Sequence, residues 1–438
     1  MGRGQAAAAA FALSAVVGAG PAAAPAVRSS VPAVWHSDIG YCSRSTLLRV
    51  DPDTLEPLRG PRLGVRDDFH GPTLSPNRGE AALDGAGPAR IVLADIQRMR
   101  RLGTVRLGGV LDDAETIAWT RPRMLVALDV RSDAHRVALT KVVAVDPRER
   151  RILSAARFSW WAALAHGETR GGRVVLLLAA WTHLTAPLLV VVDRDGAIRQ
   201  LALDRLVAGV GYAPPDEIRR FPALALDPVR ERALVVDEGE PVAEVDLRTL
   251  AVTYHAVAGL AVADPALAGP AQETGTNNPV RGPRRLAVWL ARGIVAVSGY
   301  DSYTGPIPSG GWGDSAAPAG LQLLDTRTWT VRTIDPLVGA TWAGGFRYLR
   351  GRILAGTWIW DAARHRYEGY GLVAFDSNGK LVYRKGAAPK EVYWTVLFDR
   401  LFFGRPRSRS FDRLDIATGR PTGTVPQGRI FALDAGYC

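Results

Sequence analysis

The chain is poor in the residues that most often carry chemistry. Two cysteines in 438 residues form no C-x-x-C pair, which excludes thioredoxin-like exchange and zinc ribbons. The seven histidines (His36, His70, His135, His166, His183, His255 and His365) show no metal-ligand spacing. H-E-x-x-H, the P-loop and a dinucleotide G-x-G-x-x-G are all missing. No stretch beyond the N-terminus reaches about 18 uninterrupted apolar residues, so a helical membrane bundle is excluded. Long helical periodicity is also missing, which removes folds that alternate strands with helices. Lysine is nearly absent, with Lys141, Lys380, Lys385 and Lys390 against fifty arginines.

What remains describes a folded β-protein. Apolar residues make up 47% and charged residues 22%, close to ordinary globular proportions. Glycine (46) and proline (29) together are one residue in six, above the usual share of about 12%, and call for many turns. The net charge of +11 is spread through short clusters such as Arg98, Arg100 and Arg101, Arg219 and Arg220, and Arg284 and Arg285. These read as solvated turn charges. Only Arg405, Arg407 and Arg409 form a tight patch, and no nucleic-acid motif accompanies it, so no nucleic-acid partner is expected.

Residues 1–26 read as a signal peptide: Arg3, an apolar run from Ala6 to Ala19, then small residues up to a cut after Ala26. The mature domain is then 27–438, secreted or associated with the cell envelope, with no transmembrane span. Export favours pairing of the two cysteines. Cys42 and Cys438 each end a Gly-Tyr-Cys tripeptide near opposite ends of the mature chain, and a disulfide between them is expected.

One phrase recurs: an apolar run, an Asp, a few turn residues and a second strand-like run. Its aspartates are Asp51, Asp95, Asp146, Asp193, Asp246, Asp325, Asp376 and Asp415, separated by 44, 51, 47, 53, 79, 51 and 39 residues. A strand repeat of this period signals a propeller of four-stranded blades. A strand buried on both faces between neighbouring blades reads as a continuous apolar run. The Asp that ends it can accept backbone N–H bonds within the turn. The expected fold is therefore all-β, a single β-propeller of four-stranded antiparallel blades, eight favoured and seven the runner-up. The first phrase lies too near the mature start for a full blade before it. The tail Gly428–Asp434 is expected to supply the missing inner strand and close the ring.

The segments VVAVDPRERRIL, LVVVDRDGAIRQL, LQLLDTRTWTVRTI and LVAFDSNGKLVY resemble the third and fourth strands of blades in the YVTN-like and quinoprotein-like bacterial β-propellers. The resemblance covers the mature chain and implies the architecture. It leaves the activity open, because such propellers include lyases, lactonases, dehydrogenases and scaffolds. The docking repeat and vicinal cysteines of quinoprotein dehydrogenases are missing, and no cofactor is expected.

Gly313–Ala317 resembles a broken serine-hydrolase elbow and reads as a flexible loop, and Asp193–Gly196 resembles a truncated calcium loop and reads as a hairpin turn. Trp119, Trp160, Trp161, Trp289, Trp342 and Trp394 fall near inner strands and read as packing between blades. With no catalytic motif, the expected function is a monomeric, exported scaffold that binds a ligand such as a cell-wall polysaccharide or peptide. The alternative is a metal-dependent lyase or lactonase at the channel mouth. Three long irregular stretches are expected on the face that carries the second-to-third-strand loops and blade connections: Arg205–Phe221, Pro265–Pro283 and Ser298–Gly320. Candidate ligand contacts there are Asn277, Asn278, Tyr300, Asp301, Tyr303, Trp312, His183 and His365.

Overall fold

A computed structural model describes residues 30–37, 45–65, 72–85, 90–107, 113–121, 124–133, 136–213, 216–239, 241–264, 280–307, 311–339, 345–361, 366–386, 393–405 and 408–433. The fold is all-β; its strand pairs are antiparallel except for one parallel pair between Asp216–Arg220 and Val280–Ala291, and its sheets follow one another along the chain. Sheet 1 holds Val31–His36, Ser45–Val50 and Leu63–Val65. Sheet 2 holds Thr73–Leu74, Glu80–Gly85, Arg90–Asp95 and Arg100–Arg106. Sheet 3 is built from Asp113–Arg121, Met124–Asp133, Arg136–Asp146 and Arg151–Ser159. Sheet 4 is built from Trp161–Glu168, Val174–Ala180, Leu188–Val192 and Ile198–Ala202. Sheet 5 comprises Ala223–Asp227, Arg232–Val236, Val242–Asp246 and Val252–His255. Sheet 6 is built on Val280–Ala291, Ile294–Ile307, Leu321–Asp325 and Thr330–Asp335, and beyond Val280–Ala291 it continues through Asp216–Arg220 and Ala208–Ala213 to Leu184–Thr185. Phe346–Leu349, Arg352–Asp361, Arg366–Asp376 and Leu381–Lys385 form sheet 7. Tyr393–Leu397, Arg400–Gly404, Ser410–Leu414 and Pro421–Pro426 form sheet 8.

The recurring aspartates do what their chemistry suggested. Each stands at the end of the strand before the outermost one. Asp51 accepts the N–H groups of Asp53 and Thr54 at 2.8 and 2.9 Å. Asp95 accepts those of Gln97 and Arg98, Asp146 those of Arg148 and Glu149, and Asp246 those of Arg248 and Thr249. The same device serves Asp325, Asp376 and Asp415. Asp193 differs. It takes the guanidinium groups of Arg173 and Arg199, and Asp195 caps the turn instead through Ala197 N.

The core consists of layers between consecutive sheets. Every residue of Val174–Ala180 is buried. Val174, Leu176 and Leu178 pack toward sheet 3, while Val175 and Leu177 pack toward sheet 5, the two-residue alternation of a strand with apolar material on both faces. Similar layers join sheets 1 and 2, 2 and 3, 5 and 6, 6 and 7, and 7 and 8. Trp119 and Trp394 are buried within such layers, as expected of packing residues, whereas Trp160 is 42% exposed and Trp342 lies outside the described residues.

The two ends of the described chain meet. Leu55 packs with Phe402, Phe411 and Ile430, and Leu433 packs against Ala33, Leu48 and Val50. The Asp53 carboxylate lies 2.7 Å from Arg400 and 2.8 Å from Arg413. The tail reaches sheet 1 on its inner side, where Ala432 O accepts the His36 N–H at 2.8 Å. The secondary structure there departs from expectation: residues 427–431 form a short helix, not a strand. Nothing in the described tail pairs along sheet 1 as a fourth strand.

Two stretches expected to be irregular are hairpins. Within 205–221, Ala208–Ala213 pairs with Asp216–Arg220, and the latter runs parallel to the start of Val280–Ala291. A glycine permits that approach: at Gly282, with φ +134°, a Cβ would meet Arg219 O at 1.8 Å. Within 298–320, the long second strand of sheet 6 folds back on Gly311–Pro318 from Tyr300↔Pro318 to Ile307↔Gly311. Residues 1–29, with the expected signal peptide, and Cys42 and Cys438 lie outside the described residues.

Candidate functional site

The innermost strands of sheets 4 to 7 use only part of their hydrogen-bonding edges within the sheets, and between them lies a cavity of about 750 Å³. It extends along those strands from Phe221 and Arg284 at one end to Arg230, Arg292 and Arg350 at the other. Leu164, Leu226, Leu286 and Phe346 supply apolar wall, and His166, Glu168 and Tyr348 supply polar groups. Burial raises the pKa of Glu168 above the ordinary carboxylate value.

A buried charge cluster stands at the first end, where the second strands of sheets 5 and 6 emerge. The Arg285 side chain is wholly enclosed, with Nη2 2.6 Å from Asp301 Oδ1 and 3.5 Å from Glu238 Oε2. Its Nε donates to Ala261 O at 2.6 Å and its Nη1 to Tyr300 O at 2.8 Å. Beside it, Arg220 Nη2 is 3.1 Å from the fully buried Asp237 Oδ2 and donates to Glu238 O at 3.2 Å. Burial first, and then the negative charge of Asp301, push the Glu238 carboxyl up to about 7, against the pull of Arg285. The shift follows from enclosing one carboxyl beside another, that of Asp301. In sheet 3, Asp129 is buried with neither carboxylate oxygen hydrogen-bonded. Desolvation pushes it up to about 6, against the nearby Lys141.

Of the sequence-derived candidates, Tyr300 and Asp301 belong to this cluster, Tyr300 through its carbonyl and Asp301 through its carboxylate. Tyr303 and Trp312 lie on the hairpin strands that extend from the same end; their side chains lie outside the described residues. His183 is exposed just beyond the second strand of sheet 4, with its Nδ1 3.0 Å from Thr182 Oγ1. Asn277, Asn278 and His365 also lie outside the described residues.

Sequence reasoning missed Arg285, Glu238, Asp237 and Arg220. Arg284 and Arg285 were expected to be solvated turn charges, yet Arg285 is among the largest fully buried side chains. The available signal was Asp237-Glu238 directly after the apolar run Ala233–Val236. Among the described residues, no three His, Cys, Asp or Glu side chains converge as a metal ion requires. No helix there is long and apolar enough to cross a membrane.

The fold is that of a β-propeller. The chain is similar to dihydro-heme d1 dehydrogenase NirN, solved in complex with DHE, with a TM-score of 0.51 at 12% identity over 90% of this chain and 72% of that one. It is also similar to BamB from Moraxella catarrhalis (TM-score 0.44, 12% identity, 82% and 88% covered). Sqt1 of Saccharomyces cerevisiae gives a TM-score of 0.42 at 11% identity, with 82% and 84% covered. At these identities the first likeness carries the fold alone. No protein-family profile and no curated protein matches the chain.

Proposed function

We propose that the protein is an exported, eight-bladed β-propeller that binds a ligand at the end of its central channel where Arg285, Asp301 and Glu238 cluster. The observation that carries this reading is the axial cavity of about 750 Å³ bounded by four successive inner strands, a size and position typical of ligand sites. The eight-blade reading is supported by the apolar layers that link each sheet to the next and sheet 8 to sheet 1. On this reading the tail helix fills the inner place of the first blade, and a Cys42–Cys438 disulfide seals the seam. The binding surface includes the hairpins that rise beside the cluster, with Tyr300, Asp301, Tyr303, Trp312 and His183; Asn277, Asn278 and His365 remain candidates outside the described residues. Aromatic and amide groups on a rigid scaffold suit a cell-wall polysaccharide or peptide. A lyase or lactonase is the less favoured reading, because it needs a convergence of metal ligands.

The test is a pull-down of the mature chain on isolated cell-wall polymer. Tyr303→Ala with Trp312→Ala should weaken retention at least tenfold and leave the melting temperature nearly unchanged. Equal retention of both proteins would remove the loop face as the binding surface.

A further inference from the structure

The opposite end of the same cavity carries a different chemistry. There the innermost strand of each sheet turns into the second, and sheets 2 to 7 each place an arginine in or beside that turn: Arg78, Arg121, Arg170, Arg230, Arg292 and Arg350. All six are exposed. The turns of sheets 3, 4 and 5 touch in series, with Arg121 Nη2 donating to Gly171 O at 3.2 Å and Arg170 N to Pro228 O at 2.9 Å. Arg170, Arg230, Arg292 and Arg350 line the cavity itself.

Three of these arginines occupy a left-handed turn position. Arg78, Arg292 and Arg350 sit at φ +54°, +53° and +49°, each followed by a glycine. Asn or Asp holds such a position at lower cost; an ordinary L-residue there costs roughly 1 kcal/mol. The same left-handed position is held by Glu231 and Asp399 in the inner turns of sheets 5 and 8 and by Met99, Leu250 and Trp329 in outer turns, so the strain belongs to the turn type and the exposed charge is what sets these arginines apart.

Charge balance separates this inner ring from the outer one. In the turns after the third strands, on the same face, Arg98, Arg248 and Arg327 fold back on the turn aspartates at 3.2, 3.5 and 2.6 Å. Among the described residues, none of the six inner arginines has a carboxylate within 4 Å, although Arg350 is near enough to Asp415 to help hold its pKa down. The nearby carboxylates are mostly engaged. Asp227 accepts the N–H groups of Val229 and Arg230, and Glu231 is held by Arg173 and Arg194. Glu168 is pushed toward its neutral form by burial, and Asp399, in the corresponding turn of sheet 8, is the one exposed carboxylate lining this end of the cavity.

We infer that this mouth is a second binding site, for a compact polyanion whose carboxylate or phosphate groups are held by Arg170, Arg230, Arg292 and Arg350. Guanidinium groups grip such anions in two-point contacts, and a ring of like charge around a low-dielectric cavity focuses its field on the axis. The site is separate from the loop-face surface of the proposed function, and either can fail without the other.

The test is calorimetric titration of the full chain with inorganic tripolyphosphate and with citrate, at low and at moderate salt. At least one probe should bind at one site per chain, with affinity falling as salt rises. Arg292→Asn with Arg350→Asn relieves the turn strain and should fold at least as well as the parent, while weakening binding tenfold or more. Arg98→Gln with Arg327→Gln, on the outer ring, should change binding less than twofold, as should Tyr303→Ala with Trp312→Ala. Failure of both probes to bind the parent, or equal loss in the outer-ring variant, would overturn the proposal.

Discussion

Replacing Arg285 with methionine removes the single guanidinium that holds two carboxylates together in the interior. Its side chain is fully buried, 2.6 Å from Asp301 and 3.5 Å from Glu238, and it also satisfies the carbonyls of Ala261 and Tyr300. Methionine keeps most of the apolar volume but leaves those acceptors without a donor. Removal of one partner from a buried ion pair costs about 3–5 kcal/mol, and each abandoned carbonyl adds about 1 kcal/mol. Because these terms overlap, the expected loss is about 4 kcal/mol at pH 8, measured by urea unfolding. The pH dependence gives a second reading. Glu238 is already pushed up to about 7, and loss of its cation pushes it further. A carboxyl whose folded pKa exceeds its unfolded value contributes most stability below the unfolded pKa and loses it as pH rises through the folded one. The Arg285→Met penalty should therefore shrink between pH 8 and pH 5. Adding Glu238→Gln should return at least 1 kcal/mol at pH 8. A cost under 1 kcal/mol at pH 8, or a penalty that grows on acidification, would refute the reasoning.

Leu176→Ala opens a void between sheets 3 and 4, where the side chain is fully buried. It should cost about 2–5 kcal/mol by the same urea measurement, whereas Leu381→Ala, 42% exposed, should cost under 1 kcal/mol. A non-reducing peptide map of the protein folded in an oxidising compartment should link the Cys42 and Cys438 peptides; two free thiols after denaturation would contradict the proposed disulfide.

The repeat was legible because its signal is local. An Asp that accepts N–H groups two and three residues ahead needs only its own turn, and an apolar run buried on both faces reads as one wherever its sheet lies. The charge cluster was not legible in the same way. Arg285 meets Glu238 47 residues earlier in sequence, and nothing in the Arg284-Arg285 pair distinguishes a buried guanidinium from a solvated one. Arg205–Phe221 was expected to be irregular, but the edge offered by the inner strand of sheet 6 organised it as a hairpin. The tail was misread because Ile430-Phe431-Ala432-Leu433 suits a strand and a short helix equally; contact with Leu55 and Ala33 selects the helix.

The central claim is that the tail closes a ring of eight sheets against the first. Hydrogen exchange of the full chain and of a chain ending at Pro426 tests it directly. The account predicts that removing residues 427–438 strips protection from His36 and the amides of sheet 1, while Val174–Ala180 keeps most of its protection. Unchanged protection across sheet 1 would contradict it.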